Sequence, residues 1–554
     1  MRGYHSDFKK GLTAGLRPDY VMVYNTGLLA EALNCRLRPS GLEGYNPQIT
    51  TLPEILDSVT LNPITITYNW PFPQLFLTDS GFYMCTGDGI WRIYGSTGHI
   101  LGEQITAAFA ATSKWPWSIA DCPKFPVFCN GDYLVYYDYD STAWITYSHA
   151  LITAPGTKWD TSIDTPLTCC YFRGQILFGG TNDSDISNDI NRQVSWTDIG
   201  RFDTLDMYAL ASPVSTADLL RNIAGYTYFS SSLEERVLRL APIGKYVIAY
   251  GEFSIRSLTP VQDPAPTYSP DEIADFGIAC PLAVGVGNNE HIFICRNGYL
   301  WKVTVSGSGP TVTKIGYIEF FSPLQAGVNL YTQSGIISIL YNNTEKEYYI
   351  SNGSTAYIYN QNGLTEGSRV VYGWADYNNI ISFDEGLIEL ETTTDDLLTE
   401  ADEPLEIEAW SIAMANSIVG LYQDIAAKTT YMQMKTDILD FDLPTIKTIE
   451  SVDLAINTPS AAVIEVMVEW RDAVNAAWNT TTWKRCNPAG QAYPLVSGVQ
   501  LRVCVRISNF YNTQFDTTIL TNIGVGWKIS DRSGVRGLKQ TGGASASIAG
   551  SGSG

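Results

Sequence analysis

His291-Ile-Phe-Ile-Cys-Arg-Asn-Gly298-Tyr-Leu-Trp-Lys-Val303 sets two apolar, aromatic-rich runs on either side of an Asn-Gly pair. Asn-Gly between two such runs is the strongest short-range hairpin signal, because both turn residues must accept φ > 0. The same pattern recurs outward from this stretch. Upstream it appears at 74–91 around Gly81, 127–137 around Gly131, 170–180 around Gly174 and 240–250 around Gly244; downstream it appears at 346–359 around Gly353. The turn glycines are 50, 43, 70, 54 and 55 residues apart. A four-stranded propeller blade takes about 40–50 residues, so the spacing predicts a degenerate β-propeller of about six blades over 61–383. The 70-residue interval predicts an insertion around 200–235, where Ser215-Thr-Ala-Asp-Leu-Leu-Arg-Asn-Ile223 reads as a capped helix. The same hairpins would also build a set of β-sandwiches.

Composition agrees with a mainly β chain. Tyr (33), Phe (20) and Trp (14) fit pleated, half-buried surfaces, and 47 Gly supply the turns. Hydrophobic residues make up 45% and charged residues 17% of the 554, which marks a folded chain of roughly two to four domains. Beyond the hairpins the pattern lengthens. Ala462–Trp470 and Val499–Ile507 alternate apolar and polar, predicting a C-terminal β-sandwich or platform domain over 384–538. Residues 1–60 read as an extended N-terminal arm, and 539–554 as a flexible tail of Gly, Ser and Ala.

The formal charge of −22 disfavours binding to DNA or an anionic membrane by charge attraction, although an acidic wall would let DNA slide past. No uncharged run of 18 apolar residues predicts a membrane span. The start, Met1–Lys10, lacks a signal-peptide core, so synthesis in the cytosol is expected. Ten scattered Cys and four His show no zinc-type spacing, and the thiols read as small buried hydrophobes. The pairs Asp138/Asp140 and Asp183/Asp185 lack the rest of an EF-hand loop and read as turn residues. No nucleophile–base pair, phosphate loop or assignable carboxylate pair stands out. The chain is therefore expected to be a non-enzyme with no cofactor and no metal. One charge run is distinctive: residues 384–408 carry eleven Asp/Glu and no Lys or Arg. Such density is usually a solvated face, but Asp384, Glu385, Glu389, Glu391, Asp395 and Asp396 are also candidates for lining a channel.

Two further segments carry a family resemblance. Val237–Leu258, with Tyr250-Gly-Glu-Phe-Ser-Ile255, is followed by Phe276-Gly-Ile-Ala-Cys-Pro281 and by the 291–303 hairpin. Near the start stands Leu33-Asn-Cys-Arg-Leu-Arg-Pro-Ser-Gly-Leu-Glu-Gly-Tyr45. Over about half of its length the chain resembles the tail nozzle proteins of short-tailed bacteriophages, also called packaged-DNA stabilisation proteins or tail hubs. The resemblance implies a structural virion protein, assembled in the host cytoplasm as a homohexameric ring beneath the portal and adaptor. Packaged DNA would be retained and then conducted through its channel without sequence-specific binding. Implied partners are further copies of the chain, head-to-tail connector proteins, tail fibres or spikes, and the host envelope at ejection. Residues 1–60 and the tail from 538 would be arms reaching neighbours. The rival expectation is a carbohydrate- or receptor-binding propeller, lectin-like or glycosidase, with exposed aromatics at one rim.

Overall fold

The computed structural model describes residues 4–18, 27–45, 48–51, 55–64, 74–78, 80–85, 89–96, 99–106, 115–138, 142–148, 165–181, 189–197, 199, 225–232, 235–262, 266–330, 335–342, 346–352, 356–366, 380–382, 388–389, 406–407, 410–414, 417–422, 431–513 and 516–530. The predicted helix at 215–223 and the tail at 539–554 lie outside these residues. The chain forms two compact units, 49–356 with 372–422, and 1–48 with 357–371 and 423–554.

The larger unit is built from consecutive antiparallel meanders. Each of the first five has four strands in sequence order. They begin at Gln74–Thr78, Ser118–Ala120, Pro166–Phe172, Val237–Ile243 and Val284–Val286, and the first gains Ile55–Asp57 as a parallel outer strand. A sixth contributes Ser338–Asn342 and Glu347–Ser351. A seventh runs Ile380–Ser382, Trp410–Met414, Ser417–Tyr422, Gln48–Thr51. Leading strands pack side by side: second on third, third on fourth, fifth on sixth, sixth on seventh, and seventh back on first. This is a β-propeller whose final blade is completed by a strand from before the first.

The turn glycines explain why the repeat looked irregular. Gly81, Gly131, Gly174, Gly244 and Gly298 all have positive φ, as the hairpins require. However, Gly174 and Gly244 join strands one and two of their blades, whereas Gly131 and Gly298 join strands two and three. The marker thus slides by one hairpin between blades, and its spacing does not measure a blade. The seventh blade was not visible in that spacing. Only Ile380–Ser382 falls within 61–383; its other strands fall in regions read as the arm 1–60 and as the domain 384–538.

Apolar residues that alternate along the strands meet between blades. Tyr83, Cys85 and Ile90 pack on Trp117, Phe128 and Val135 of the next blade. Cys129 and Leu134 of the second blade pack on Cys169 and Phe178 of the third. Leu177 and Trp196 then pack on Leu240 and Val247, and Ile248 and Tyr250 on Phe293 and Val303. Each such side chain contributes about 1.5–3 kcal/mol on burial. The inter-blade clusters, rather than strand pairing alone, hold the ring together.

The smaller unit is a β-sandwich-like domain of two sheets. One runs Cys35–Arg38, Gly41–Gly44, Ile519–Ile529, Lys447–Asn457, Gln491–Ala492, with Tyr4–Asp7 also pairing with Ile519–Ile529. The other includes Gly363–Glu366, Leu29–Leu33, Tyr431–Thr436, Gln500–Ser508 and Val463–Arg471. In Gln500–Ser508 the residues Leu501, Val503, Val505 and Ile507 are buried, while Arg502 and Arg506 are on the opposite face. The described part of residues 1–60 therefore does not form an extended arm. Up to Gly44 it supplies strands to the same unit as 431–529, while Gln48–Thr51 and Ile55–Asp57 join the propeller, and the smaller unit is discontinuous rather than a C-terminal 384–538 block. The physical reason is that Leu29–Leu33 pairs with Tyr431–Thr436 about 400 residues away, a register that no local periodicity encodes.

Candidate functional site

Both segments that carry the resemblance fold into polar joints. Cys35–Arg38 and Gly41–Gly44 form a hairpin whose register sets Arg36 opposite Glu43. Glu43 Oε2 accepts from Arg36 Nε at 2.9 Å and from Arg38 Nε at 2.6 Å, and Thr517 Oγ1 donates to Oε1 at 3.1 Å. Burial would raise the carboxyl pKa, but the two guanidinium groups outweigh it and hold Glu43 below the usual carboxylate range. The Arg36 guanidinium also lies 4.5 Å from the Tyr45 ring centroid. Arg-x-Arg on one strand and Glu on the next is the spacing that brings two cations to one buried anion.

The second joint is the loop Gly251–Ser254 in the fourth blade. Glu235 enters from the preceding chain. Its Oε1 accepts from Phe253 N–H at 2.9 Å, and its Oε2 accepts from Ser254 Oγ at 3.1 Å. Burial raises the Glu235 pKa despite these bonds. Glu252 is raised for the same reason, with Arg236 and Arg296 partly offsetting it. The Gly251 carbonyl accepts from Ile278 N–H at 3.1 Å, and Gly277 lies so close that a Cβ there would be 2.2 Å from the Glu252 carbonyl carbon. Arg296 covers Phe253, 4.7 Å from its ring centroid, and its backbone N–H donates to the Gly277 carbonyl. Gly-Glu-Phe-Ser and Phe-Gly-Ile-Ala are thus two halves of one backbone-on-backbone clasp. Both Glu235 oxygens are engaged by neighbouring donors, so this carboxylate serves as a lock, not as a base open to a substrate.

Beside the clasp, His291 is fully buried. Pro242 O can only accept, so His291 Nε2–H donates to it at 3.1 Å, and Nδ1 accepts from Tyr250 Oη at 2.9 Å. Burial lowers the His291 pKa to about 4, so the ring is neutral.

Of the six acidic candidates for a channel wall, only the backbone of Glu389 is described. It pairs with Glu406 in a short antiparallel ladder. Asp384, Glu385, Glu391, Asp395 and Asp396 lie outside the described residues, as do Asp140, Asp183 and Asp185. All ten Cys are free, and all but Cys486 are buried. No group of three or more potential metal ligands occurs among the described residues. Phe253 and Arg296 stand 43 residues apart in the sequence, and nothing in its spacing links them or points to Glu235. The ring-on-cation contact joins two blades and leaves no trace in spacing.

No protein-family model matches the chain, and no curated protein does. Among solved structures it is similar to the Pan2 WD40 domain of Neurospora crassa, with 10% identity and a TM-score of 0.34 over 64% of this chain and 89% of that one. It is also similar to the Cps50 (Swd1) β-propeller domain of Myceliophteria thermophila, with 9% identity and a TM-score of 0.33 over 55% of this chain and 87% of that one. Likenesses this distant bear on neither activity nor partners. The blade order and its closure define the class: a β-propeller protein with a second, sandwich-like β unit.

Proposed function

We propose that this chain is a structural virion protein that forms the nozzle of a short-tailed phage, retaining packaged DNA and conducting it at ejection. The observation that carries the reading is where the resembling residues fall. Both segments form internal locks, the Arg36–Arg38–Glu43 triad and the Gly251–Gly277 clasp. Rigid joints suit a part that must hold its shape against packaged DNA, and a chain of charge −22 adheres poorly to phosphate. The expected partners are further copies in a six-fold ring, the connector proteins above and fibres or spikes beside it. Cryo-electron microscopy of the native assembly, classified without imposed symmetry, tests the reading. A six-fold ring with an axial channel and one toroidal lobe per subunit is expected; a trimer or a lone peripheral propeller overturns it.

One observation favours a receptor-binding alternative. Tyr226 and Tyr228 are both exposed on the outer strand of the third blade, with ring centroids 5.9 Å apart, an arrangement able to stack on a sugar. Glycan-array binding abolished by Tyr226→Ala would move that reading to first place.

A further inference from the structure

Residues 471–506 reverse the charge of the molecule. They contain Arg471, Lys484, Arg485, Arg502 and Arg506 but only one acidic residue, Asp472, in a chain of net charge −22. The fold gathers these residues at one corner of the smaller unit. Asn479–Thr480 and Lys484–Arg485 both pair along Val463–Arg471, and Gln500–Ser508 lies on its other side. Trp478 lies under Arg471 and Arg502, with guanidinium carbons 4.5 and 4.4 Å from its ring centroid, and Trp483 lies under Arg506 at 4.4 Å. Glu465 holds Arg506 at 2.6 Å, and Glu469 holds Lys435 at 3.0 Å. The planar cations are thereby fixed in position on aromatic rings rather than free on flexible stems.

Large apolar side chains stand out beside them. Tyr493 is 54% exposed, Leu495 67% and Val474 52%. The loop that carries Tyr493 and Leu495 is tied down. Lys484 Nζ donates to the carbonyls of Tyr493 and Pro494, Asn487 Oδ1 accepts from the backbone N–H groups of Ala489 and Gln491, and Leu495 is held at φ 53°. An exposed leucine held in left-handed backbone is not what solubility asks for. Preorganised apolar tips rimmed by fixed cations are what an interface asks for.

We propose that this corner is a self-association surface, docking on the acidic surface of a second copy of the chain. Charge complementarity selects that occupant: the corner is basic, whereas the remainder of the sequence is strongly acidic and includes 384–408 with its eleven carboxylates. Nucleic acid is the competing partner for Arg on Trp. Here, however, the exposed apolar tips Val474, Tyr493 and Leu495 stand among the cations, and apolar surface of that kind docks on protein rather than on a sugar-phosphate backbone. The inference rests on the assembly reading above and names its surface.

The test uses the full chain and two variants, Arg485→Glu and Leu495→Asn. Asn tolerates the left-handed backbone, so the second variant removes the apolar tip without straining the loop. Sedimentation velocity over a concentration series is paired with thermal melting and with anisotropy of a labelled 20-base-pair duplex. The expected result is an oligomer for the parent chain, and assembly shifted about tenfold or more in concentration for each variant at unchanged melting temperature. An oligomer that both folded variants leave intact overturns the inference while the assembly reading stands. A parent chain that stays monomeric at every concentration overturns both. Duplex binding that Arg485→Glu abolishes, with oligomeric state unchanged, replaces the second copy with DNA and also overturns it.

Discussion

Glu43 and His291 make opposite acid-base arguments from similar burial. Replacing Glu43 by Gln leaves Arg36 and Arg38 without their shared counter-charge, at a cost of about 3 kcal/mol, read as a lowered melting temperature at neutral pH. The folded pKa of Glu43 is depressed, so its contribution is present above the unfolded value and lost as pH falls through the lowered folded value. The loss of stability from Glu43→Gln should therefore be full at pH 7 and shrink steadily as pH falls below the unfolded carboxyl value. His291 is neutral in the fold with a pKa of about 4, against 6.5 unfolded. Its contribution is complete above pH 6.5 and declines by about 3 kcal/mol as pH falls to 4. His291→Phe should flatten the melting temperature between those limits; a curve parallel to the parent's would show that His291 does not set that limb. Neither role was legible in the sequence. His291 stood inside the hairpin that revealed the fold, yet its partners, Tyr250 and Pro242, belong to another blade.

At the scale of elements, the clasp is the sharpest place to break the propeller. Gly277→Ala sets a methyl 2.2 Å from the Glu252 carbonyl carbon and oxygen, both backbone atoms. Separating the two segments should cost about 2–4 kcal/mol, detected as a loss of denaturant midpoint with the m-value retained. Gly244→Ala, at positive φ with open space around its Cβ, should cost only about 1 kcal/mol. A loss at Gly277 no larger than the loss at Gly244 would show that crowding by the Glu252 backbone does not hold the clasp shut. Hairpins were the most legible elements, because Asn-Gly and alternating aromatics are local signals. Blade membership was not, since it depends on which strands lead and pack side by side, and the glycine marker moves between hairpins.

At the scale of the molecule, the sequence announced two β units and misplaced their borders. The seventh blade takes Gln48–Thr51 from the start and 410–422 from beyond the hairpin repeats, while the sandwich-like unit takes strands from both ends of the chain. Composition reports β content and charge, but it cannot report which distant segments pair. The basic corner at 471–506 was countable in the sequence but was masked by the overall charge of −22. If oppositely charged surfaces join the copies, assembly should weaken steeply when salt rises from about 0.05 to 0.5 M, as screening shortens their reach. Light scattering across that range checks it, and salt-independent mass would point to an apolar interface.

The ring-closing strand also sets a clock on biosynthesis. Gln48–Thr51 leaves the ribosome roughly 360 residues before its blade-mates at 410–422, and Tyr4–Asp7 precedes its partner in Ile519–Ile529 by more than 500. At about 5–20 residues per second these waits last tens of seconds. Throughout that time both units hold unpaired edges that invite chaperones and wrong pairings. A chain cut short before residue 519 lacks the strand that pairs with Tyr4–Asp7, Gly41–Gly44 and Lys447–Asn457.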